Sequence, residues 1–96
     1  MASLVFLPSA LQDLERLARF LRETDPGAAA QTAKLILDSL RLLKDFPLVG
    51  RRVDDAKREL TIFRGSTGYL ALYHFDSRAD RVLVLAVRHQ REVDFQ

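Results

Sequence analysis

The spacing of the apolar residues changes at Gly50, and this change constrains the fold more than any other feature of the sequence. Between residues 9 and 46, apolar residues recur every three or four positions, as on one side of a helix. From residue 58 to residue 64 they alternate with other residues, as in a half-buried strand. A chain of 96 residues holds one hydrophobic core. We therefore expect a single domain, residues 1–96, with a helical half followed by a sheet half.

The chain is predicted to begin with a short strand and a helix. Residues 3–7 form an apolar run that Pro8 ends, and Ser9 fits the N-cap of the helix, with Gln12 completing a capping box. Charged residues, Asp13 among them, are expected mostly on the outer side of this helix. Its apolar face is predicted to comprise Leu11, Leu14, Leu17, Ala18 and Leu21.

A second helix is predicted to follow after the short connection at residues 23–25, which implies an antiparallel helical hairpin. Asp25 and Pro26 have the residue types of a helix cap and a first-turn proline. The helix should end near Phe46, because Pro47 disfavours helical backbone geometry in the residue before it. Its apolar face is predicted to comprise Ala29, Ala33, Ile36, Leu37, Leu40 and Leu43.

The second half of the chain is predicted to be a three-stranded antiparallel meander. Its strands are residues 58–64, 69–75 and 81–89, joined by turns at 65–68 and 76–80. The last strand has Val and Leu on both faces, which indicates a central or covered position. The predicted class is therefore α+β, a two-layer sandwich of two helices on a small sheet. One sheet face stays partly open, and function is most easily placed there.

Composition excludes several classes of function. There is no cysteine, so disulfides, thiolate zinc sites, iron–sulfur clusters and cysteine nucleophiles are ruled out, and we expect no metal and no cofactor. The net charge of +2 is too small for nucleic-acid binding by bulk charge. No signal peptide or membrane-spanning stretch is recognisable, so a cytoplasmic protein is expected.

The excess positive charge lies in the sheet half. Residues 1–46 carry six bases and six acids, whereas residues 47–96 carry nine bases and seven acids. Arginine suits a bidentate grip on carboxylate or phosphate. Alternatively, arginines at a sheet edge pair with acids or merely keep the edge soluble. The bases considered for binding are Arg51, Arg52, Lys57, Arg58, Arg64, Arg81, Arg88 and Arg91.

Other polar residues allow a functional and a structural interpretation in the same way. His89, at the end of the last strand, could transfer a proton near neutral pH or be a structural or contact residue. His74 is interpreted as structural, and Asp54 with Asp55 as a solvated loop neutralised by neighbouring bases. Tyr69 and Tyr73 fall on one strand face, where they could stack on bases or pack in the core.

Several motifs, in their order and spacing, resemble the RelE/ParE superfamily of bacterial toxins. Residues 7–14, LPSALQDL, are similar to the family's Pro-x-Ala-x-x-Asp-Leu start, and residues 46–51, FPLVGR, to its Pro-x-x-Gly-Arg bend. Residues 58–60, REL, open the meander as in the family. Residues 69–73, YLALY, and residues 82–89, VLVLAVRH, are similar to its tyrosine-flanked strand and its final strand ending in His. The resemblance covers nearly the whole chain.

The resemblance implies the toxin of a type II toxin–antitoxin operon, neutralised by a small antitoxin in a hetero-oligomer. Residues 50–51, 58–60 and 88–91 look more like the ParE-like branch, which binds and poisons DNA gyrase without a hydrolytic site. The residues that this interpretation assigns to binding of target or antitoxin are Arg51, Arg58, Arg64, Tyr73, Arg88, His89 and Arg91.

Two alternatives remain open. A RelE-like toxin would cleave mRNA on the ribosome, and the residues available for that chemistry are Arg58, Arg64, Tyr73, Arg81 and His89. Phe95, the final aromatic residue, has no hydroxyl that could ionise. The third possibility is a relative that has lost toxicity and only binds its antitoxin or operator.

Overall fold

The chain folds as an α+β sandwich in which two helices cover one face of a sheet. A computed structural model describes residues 1–90. The elements are β1 (Ser3–Phe6), α1 (Pro8–Thr24), α2 (Pro26–Arg41), a 3₁₀ turn (Leu42–Lys44), β2 (Arg51–Arg52), β3 (Arg58–Arg64), β4 (Thr67–Asp76) and β5 (Arg81–His89). The predicted class, the helical hairpin and the three-stranded meander are confirmed.

The sheet is mixed and has five strands in the order β1-β5-β4-β3-β2. β1 runs parallel to β5, and the other neighbours are antiparallel. The strand β2 was not predicted, because a strand of two residues is too short to show the alternation of apolar residues that reveals a strand. β5 lies between β1 and β4, which agrees with its apolar composition. The turn between β3 and β4 contains Gly65 at φ +60, a conformation that glycine adopts without strain.

The predicted helix boundaries need two corrections. α1 begins at Pro8 with Leu7 as its N-cap, and no side chain caps it. A proline in the first turn has no N–H group to satisfy, and Ser9 instead donates a hydrogen bond to the carbonyl of Leu85 at 2.6 Å. α2 ends at Arg41 rather than near Phe46, because the chain tightens there into the 3₁₀ turn.

The core lies between the helices and the sheet. α1 contributes Ala10 and Leu17, and α2 contributes Ile36 and Leu40. Leu11, predicted on the apolar face, is exposed, whereas Asp13, predicted on the outer face, is buried. The covered face of the sheet supplies Ile62, Tyr69, Ala71, Tyr73, Val82, Val84 and Val87.

Candidate functional site

Two side chains of the sheet hold the bend at residues 47–50. The Tyr73 hydroxyl donates to the Pro47 carbonyl at 2.8 Å and accepts from the Gly50 N–H at 2.9 Å. Arg58 donates through Nη1 to the carbonyls of Leu48 and Gly50, at 3.0 and 2.8 Å. Since Arg58 and Tyr73 are partners in the β3–β4 register, both reach the bend from the same side of the sheet.

This arrangement gives Tyr73 and Arg58 a structural role. Tyr73 is 0% exposed, and its hydroxyl is engaged as both donor and acceptor. The half-buried Arg58 contacts two backbone carbonyls of the bend through Nη1 of its guanidinium. The bend is therefore a rigid corner built on the sheet, in which the Tyr73 hydroxyl is not available to a ligand.

Because this corner contains a buried phenol, we expect the stability of the fold to decrease at alkaline pH. Burial raises the pKa of the Tyr73 phenol above its ordinary value of 10.0, and burial also raises that of Tyr69. A phenol that holds its proton more tightly in the folded chain contributes its full stability below the unfolded pKa. That contribution is lost as the pH rises through the folded pKa. Urea unfolding midpoints should therefore fall above about pH 10, and less steeply for Tyr73→Phe. Midpoints that stay constant while the phenols ionise would contradict this.

The exposed edge of β5 is covered by side chains of α1. β1 pairs with β5 only over residues 81–84, so the edge beyond Val84 has no neighbouring strand within the described chain. Ser9 donates to the Leu85 carbonyl, the Val87 N–H donates to Oδ2 of Asp13 at 2.9 Å, and Arg16 Nη2 lies 3.5 Å from the Val87 carbonyl. The helix thereby satisfies backbone groups that would otherwise form an open sheet edge.

Asp13 is the centre of this contact, and the sequence interpretation missed it. It is 5% exposed, and its Oδ1 accepts from Arg16 Nη1 at 2.7 Å and from Arg88 Nη1 at 2.8 Å. Two guanidinium groups and one N–H thus compensate a buried carboxylate. The signal present in the sequence is the polar stripe of Ser9, Asp13 and Arg16, spaced four and three residues apart beside the apolar stripe.

The predicted arginines do not converge on one surface. The strand register puts Arg58 and Arg64 on the side that the helices cover, and Arg51, Arg81 and Arg88 on the open side. Most have an acidic neighbour: Arg51 pairs with Glu59 at 3.1 Å, Arg64 with Asp25 at 3.8 Å, and Arg81 with Asp76 at 4.0 Å. Arg91 lies outside the described residues.

His89 lies at the other end of β5 from Arg81. The two residues are eight positions apart in the strand, which corresponds to about 26 Å at the usual rise per residue. The His89 ring makes edge contacts with Tyr69, at a centroid distance of 5.4 Å, and with Phe20, at 6.4 Å. His89 is therefore held between α1 and the covered face of the sheet, far from Arg81.

The loop before β3 fits its interpretation as a neutralised surface loop. Asp54 accepts the backbone N–H groups of Ala56 and Lys57, and hydrogen bonding, chiefly from Ala56, lowers the pKa of its carboxyl. Asp55 lies 3.8 Å from Arg52, so the two acids do not act as a pair. His74 contacts the Ala56 carbonyl through Nδ1.

Apolar, accessible surface lies on the open side of the sheet and between the two helices. On the open side of the sheet, Phe63 is 60% exposed near the β3–β4 turn, and Leu70, Leu72 and Leu83 are half-buried further along the same face. Between α1 and α2 lies a groove of about 250 Å³. Its lining consists of Leu14, Glu15, Leu17, Ala18, Leu21, Ala33, Ile36 and Leu37. Apolar surface of this kind marks sites of protein interaction.

Residues 1–90 contain neither a cluster of metal ligands nor a membrane-spanning helix. No group of three or more His, Cys, Asp or Glu side chains there could hold a metal ion. None of the helices in that range is long and apolar enough to cross a membrane.

Comparison with known proteins points to one group. A family model described as the ParE toxin of the type II toxin–antitoxin system, parDE, matches residues 4–94. Toxin RelE3 of Caulobacter vibrioides is 34% identical over 92 residues, covering 96% of this chain and 98% of the relative. Toxin RelE1 of the same organism is 38% identical over 64 residues, covering 67% and 69%.

Solved structures show the same fold. The chromosomal ParDE system of P. aeruginosa superposes with a TM-score of 0.75 at 19% identity, covering 93% of this chain and 96% of the other. The intact RelBE toxin–antitoxin complex of E. coli gives a TM-score of 0.64 at 20% identity, covering 92% and 95%. At these identities the likeness establishes the fold.

Proposed function

Because the chain belongs to the ParE toxin family of type II toxin–antitoxin systems, we propose that it acts in the cytoplasm by binding DNA gyrase. We further propose that a cognate antitoxin neutralises it in a hetero-oligomer. The proposal of an antitoxin partner is supported by two solved structures of the same fold, a ParDE system and an intact RelBE toxin–antitoxin complex.

The observation that carries inhibition by binding is that Tyr73 and Arg58, two of the groups that chemistry would need, are engaged by the bend, and that His89 is far from Arg81. Ribonucleolytic cleavage requires a general acid and a general base beside cations that stabilise the transition-state phosphate. In this chain the Tyr73 hydroxyl is buried and engaged at both ends, and His89 lies about 26 Å along β5 from Arg81. Arg58 is bound to backbone carbonyls of the bend.

The open side of the sheet suits contact with a large protein target. Phe63 projects from it, and Leu70, Leu72 and Leu83 form an apolar centre. Arg51 and Arg81 lie around this centre in the strand register, whereas the guanidinium of Arg88 is bound to Asp13 on α1. An apolar centre with arginine at its border is typical of protein interfaces, in which aromatic and arginine side chains contribute most of the affinity.

A supercoiling assay tests this function. Purified toxin, added in excess to gyrase, ATP and relaxed plasmid, is expected to abolish supercoiling, because the bound toxin blocks the enzyme. Phe63→Ala should raise the toxin concentration needed for half-inhibition at least about tenfold, the usual cost of losing an interface anchor. Leu11→Ala, an exposed position on α1, is the matched control and should leave it unchanged. Full supercoiling at a large excess of toxin would reject the proposal.

The second candidate is a RelE-like ribosome-dependent mRNA endoribonuclease, which the names of the two Caulobacter relatives favour. The residues it would use are Arg58, Arg64, Tyr73, Arg81 and His89. Primer extension on translated mRNA after induction separates the two functions, since a ribonuclease produces codon-linked cuts and a gyrase poison does not. Normal growth during expression without antitoxin would instead indicate a non-toxic antitoxin-binding relative.

A further inference from the structure

The open side of the sheet has an apolar surface that spans four of the five strands. Leu70 and Leu72 lie on β4, Leu83 on β5 and Val5 on β1, and the strand register places Val5 beside Leu83. All four side chains are half-buried, because neighbouring strands cover them only at their flanks. Both helices pack on the opposite face, so Phe63 of β3, which is 60% exposed, projects into solvent.

The charged side chains of this face are neutralised within the chain. Each base that a described strand places on the open side has an acidic neighbour. The pairs are Arg51 with Glu59 at 3.1 Å, Arg81 with Asp76 at 4.0 Å, and Arg88 with Asp13 of α1 at 2.8 Å. Three bases and three acids leave the face without net charge, so two such faces do not repel each other.

The shape of the face favours a second copy of this chain as the partner. In a two-fold interface the same surface of both copies meets itself, so that surface has to be self-complementary. An apolar sheet face is nearly flat and packs on another such face at a distance of about 10 Å, as in β-sandwiches. The groove between α1 and α2 is concave instead, and two copies of it would enclose an empty space.

The area of the face is sufficient for a weak dimer. Five strands that are spaced about 4.8 Å apart give the sheet a width of about 20 Å. The strands β3, β4 and β5 have 7, 10 and 9 residues, which corresponds to a length of roughly 28 Å. Pairing of two faces then buries about 1,100 Å² in total, slightly more than the roughly 1,000 Å² expected of a biological interface.

We propose that the chain forms a two-fold symmetric dimer through the open side of its sheet. Phe63 of each copy packs against the leucines of the other, and the ion pairs of the face lie at the border of the interface. The dimer does not depend on the proposed function. Both use the same face, however, so a copy bound there excludes any other protein partner from it.

Sedimentation equilibrium of the purified chain tests the dimer. An interface near the lower limit of area is expected to have a dissociation constant in the micromolar range. The mass in solution should therefore double between nanomolar and millimolar concentrations of the chain. A chain that sediments as a monomer over this whole range overturns the proposal.

Phe63→Glu and Leu11→Glu form a matched pair of variants. Phe63 and Leu11 are 60% and 49% exposed, so both variants are expected to fold, which circular dichroism checks. Phe63→Glu should raise the dissociation constant of the dimer at least about 100-fold, because it places an unpaired charge in the interface. Leu11→Glu lies outside the interface and should change it by no more than about twofold. Equal effects of the two variants would overturn the assignment to the sheet face.

Methyl NMR of the leucine-labelled chain identifies the interface without any variant. On dilution, the methyl resonances of Leu72 and Leu83 are expected to move, whereas those of Leu14 and Leu37, in the groove between the helices, stay in place. Movement of the second pair alone would assign the dimer to the helices and overturn the proposal.

The dimer and the proposed function fail in different ways. A chain that dimerises through the sheet face but leaves gyrase uninhibited rejects the proposed function and supports the dimer. A chain that inhibits gyrase and stays monomeric at every concentration rejects the dimer and supports the proposed function.

Discussion

Replacing Asp13 by alanine is expected to lower the free energy of unfolding by about 3 kcal/mol, as usual when one partner of a buried ion pair is removed. The substitution leaves the Val87 N–H without its acceptor and separates Arg16 and Arg88 from the carboxylate they share. It also opens the part of β5 that α1 covers. Urea unfolding followed by circular dichroism measures the loss.

Two controls make this result specific. Asp13→Asn keeps an oxygen that can accept from Val87 but removes the charge, so it should be destabilised less than Asp13→Ala. Asp38→Ala removes an exposed helix carboxylate that also contacts two bases, Lys34 and Arg41, and should shift the urea midpoint little, because solvent screens such pairs. Equal shifts for the alanine variants of Asp13 and Asp38 would show that burial of the carboxylate does not determine the loss.

The second large effect is expected at Gly50. A Cβ atom there would lie 2.6 Å from the Tyr73 hydroxyl oxygen, 2.7 Å from its ring and 2.9 Å from the Glu59 carbonyl. Tyr73 is fully buried and the Glu59 carbonyl belongs to β3, so neither can easily move. We expect Gly50→Ala to destabilise the fold by about 2–3 kcal/mol, the cost of overpacking a filled core, and a thermal melt measures it.

Gly27 provides the matched control. It lies in the first turn of α2, and an added Cβ would meet nothing within 4 Å. Gly27→Ala should leave stability unchanged or raise it slightly, because alanine restricts the unfolded chain. A Gly50→Ala protein as stable as Gly27→Ala would show that the bend can relax.

The roles of Asp13 and Gly50 could not be predicted from the sequence. Asp13 is one of several charged residues on an amphipathic helix, and the helical period alone assigns it to the outer side. Its burial depends on β1 ending at Phe6, which leaves Val87 unpaired at the point where α1 crosses β5. That relation joins residues 74 apart in the chain. Patterns among neighbouring residues of the sequence contain no information on contacts between residues so far apart.

The same limit applies to the candidate site. Tyr73, Arg58 and His89 were selected as groups with useful chemistry, and their residue types are indeed those of catalytic or binding sites. In the folded chain, Tyr73 and Arg58 form hydrogen bonds with the bend at residues 47–50, and His89 lies between Phe20 and Tyr69. The strand β2 had no counterpart in the prediction, because two residues are too few to show an alternation of apolar residues.

By itself the sequence determined the helical hairpin, the meander and the turn at Gly65, because each follows from periodicity or backbone preference over a few neighbouring residues. The motifs in chain order also identified the toxin superfamily. Only the tertiary structure decided which polar groups are available for binding. That outcome depends on backbone groups left unpaired where strands end, such as Val87 and Thr61, and on which distant side chain reaches them.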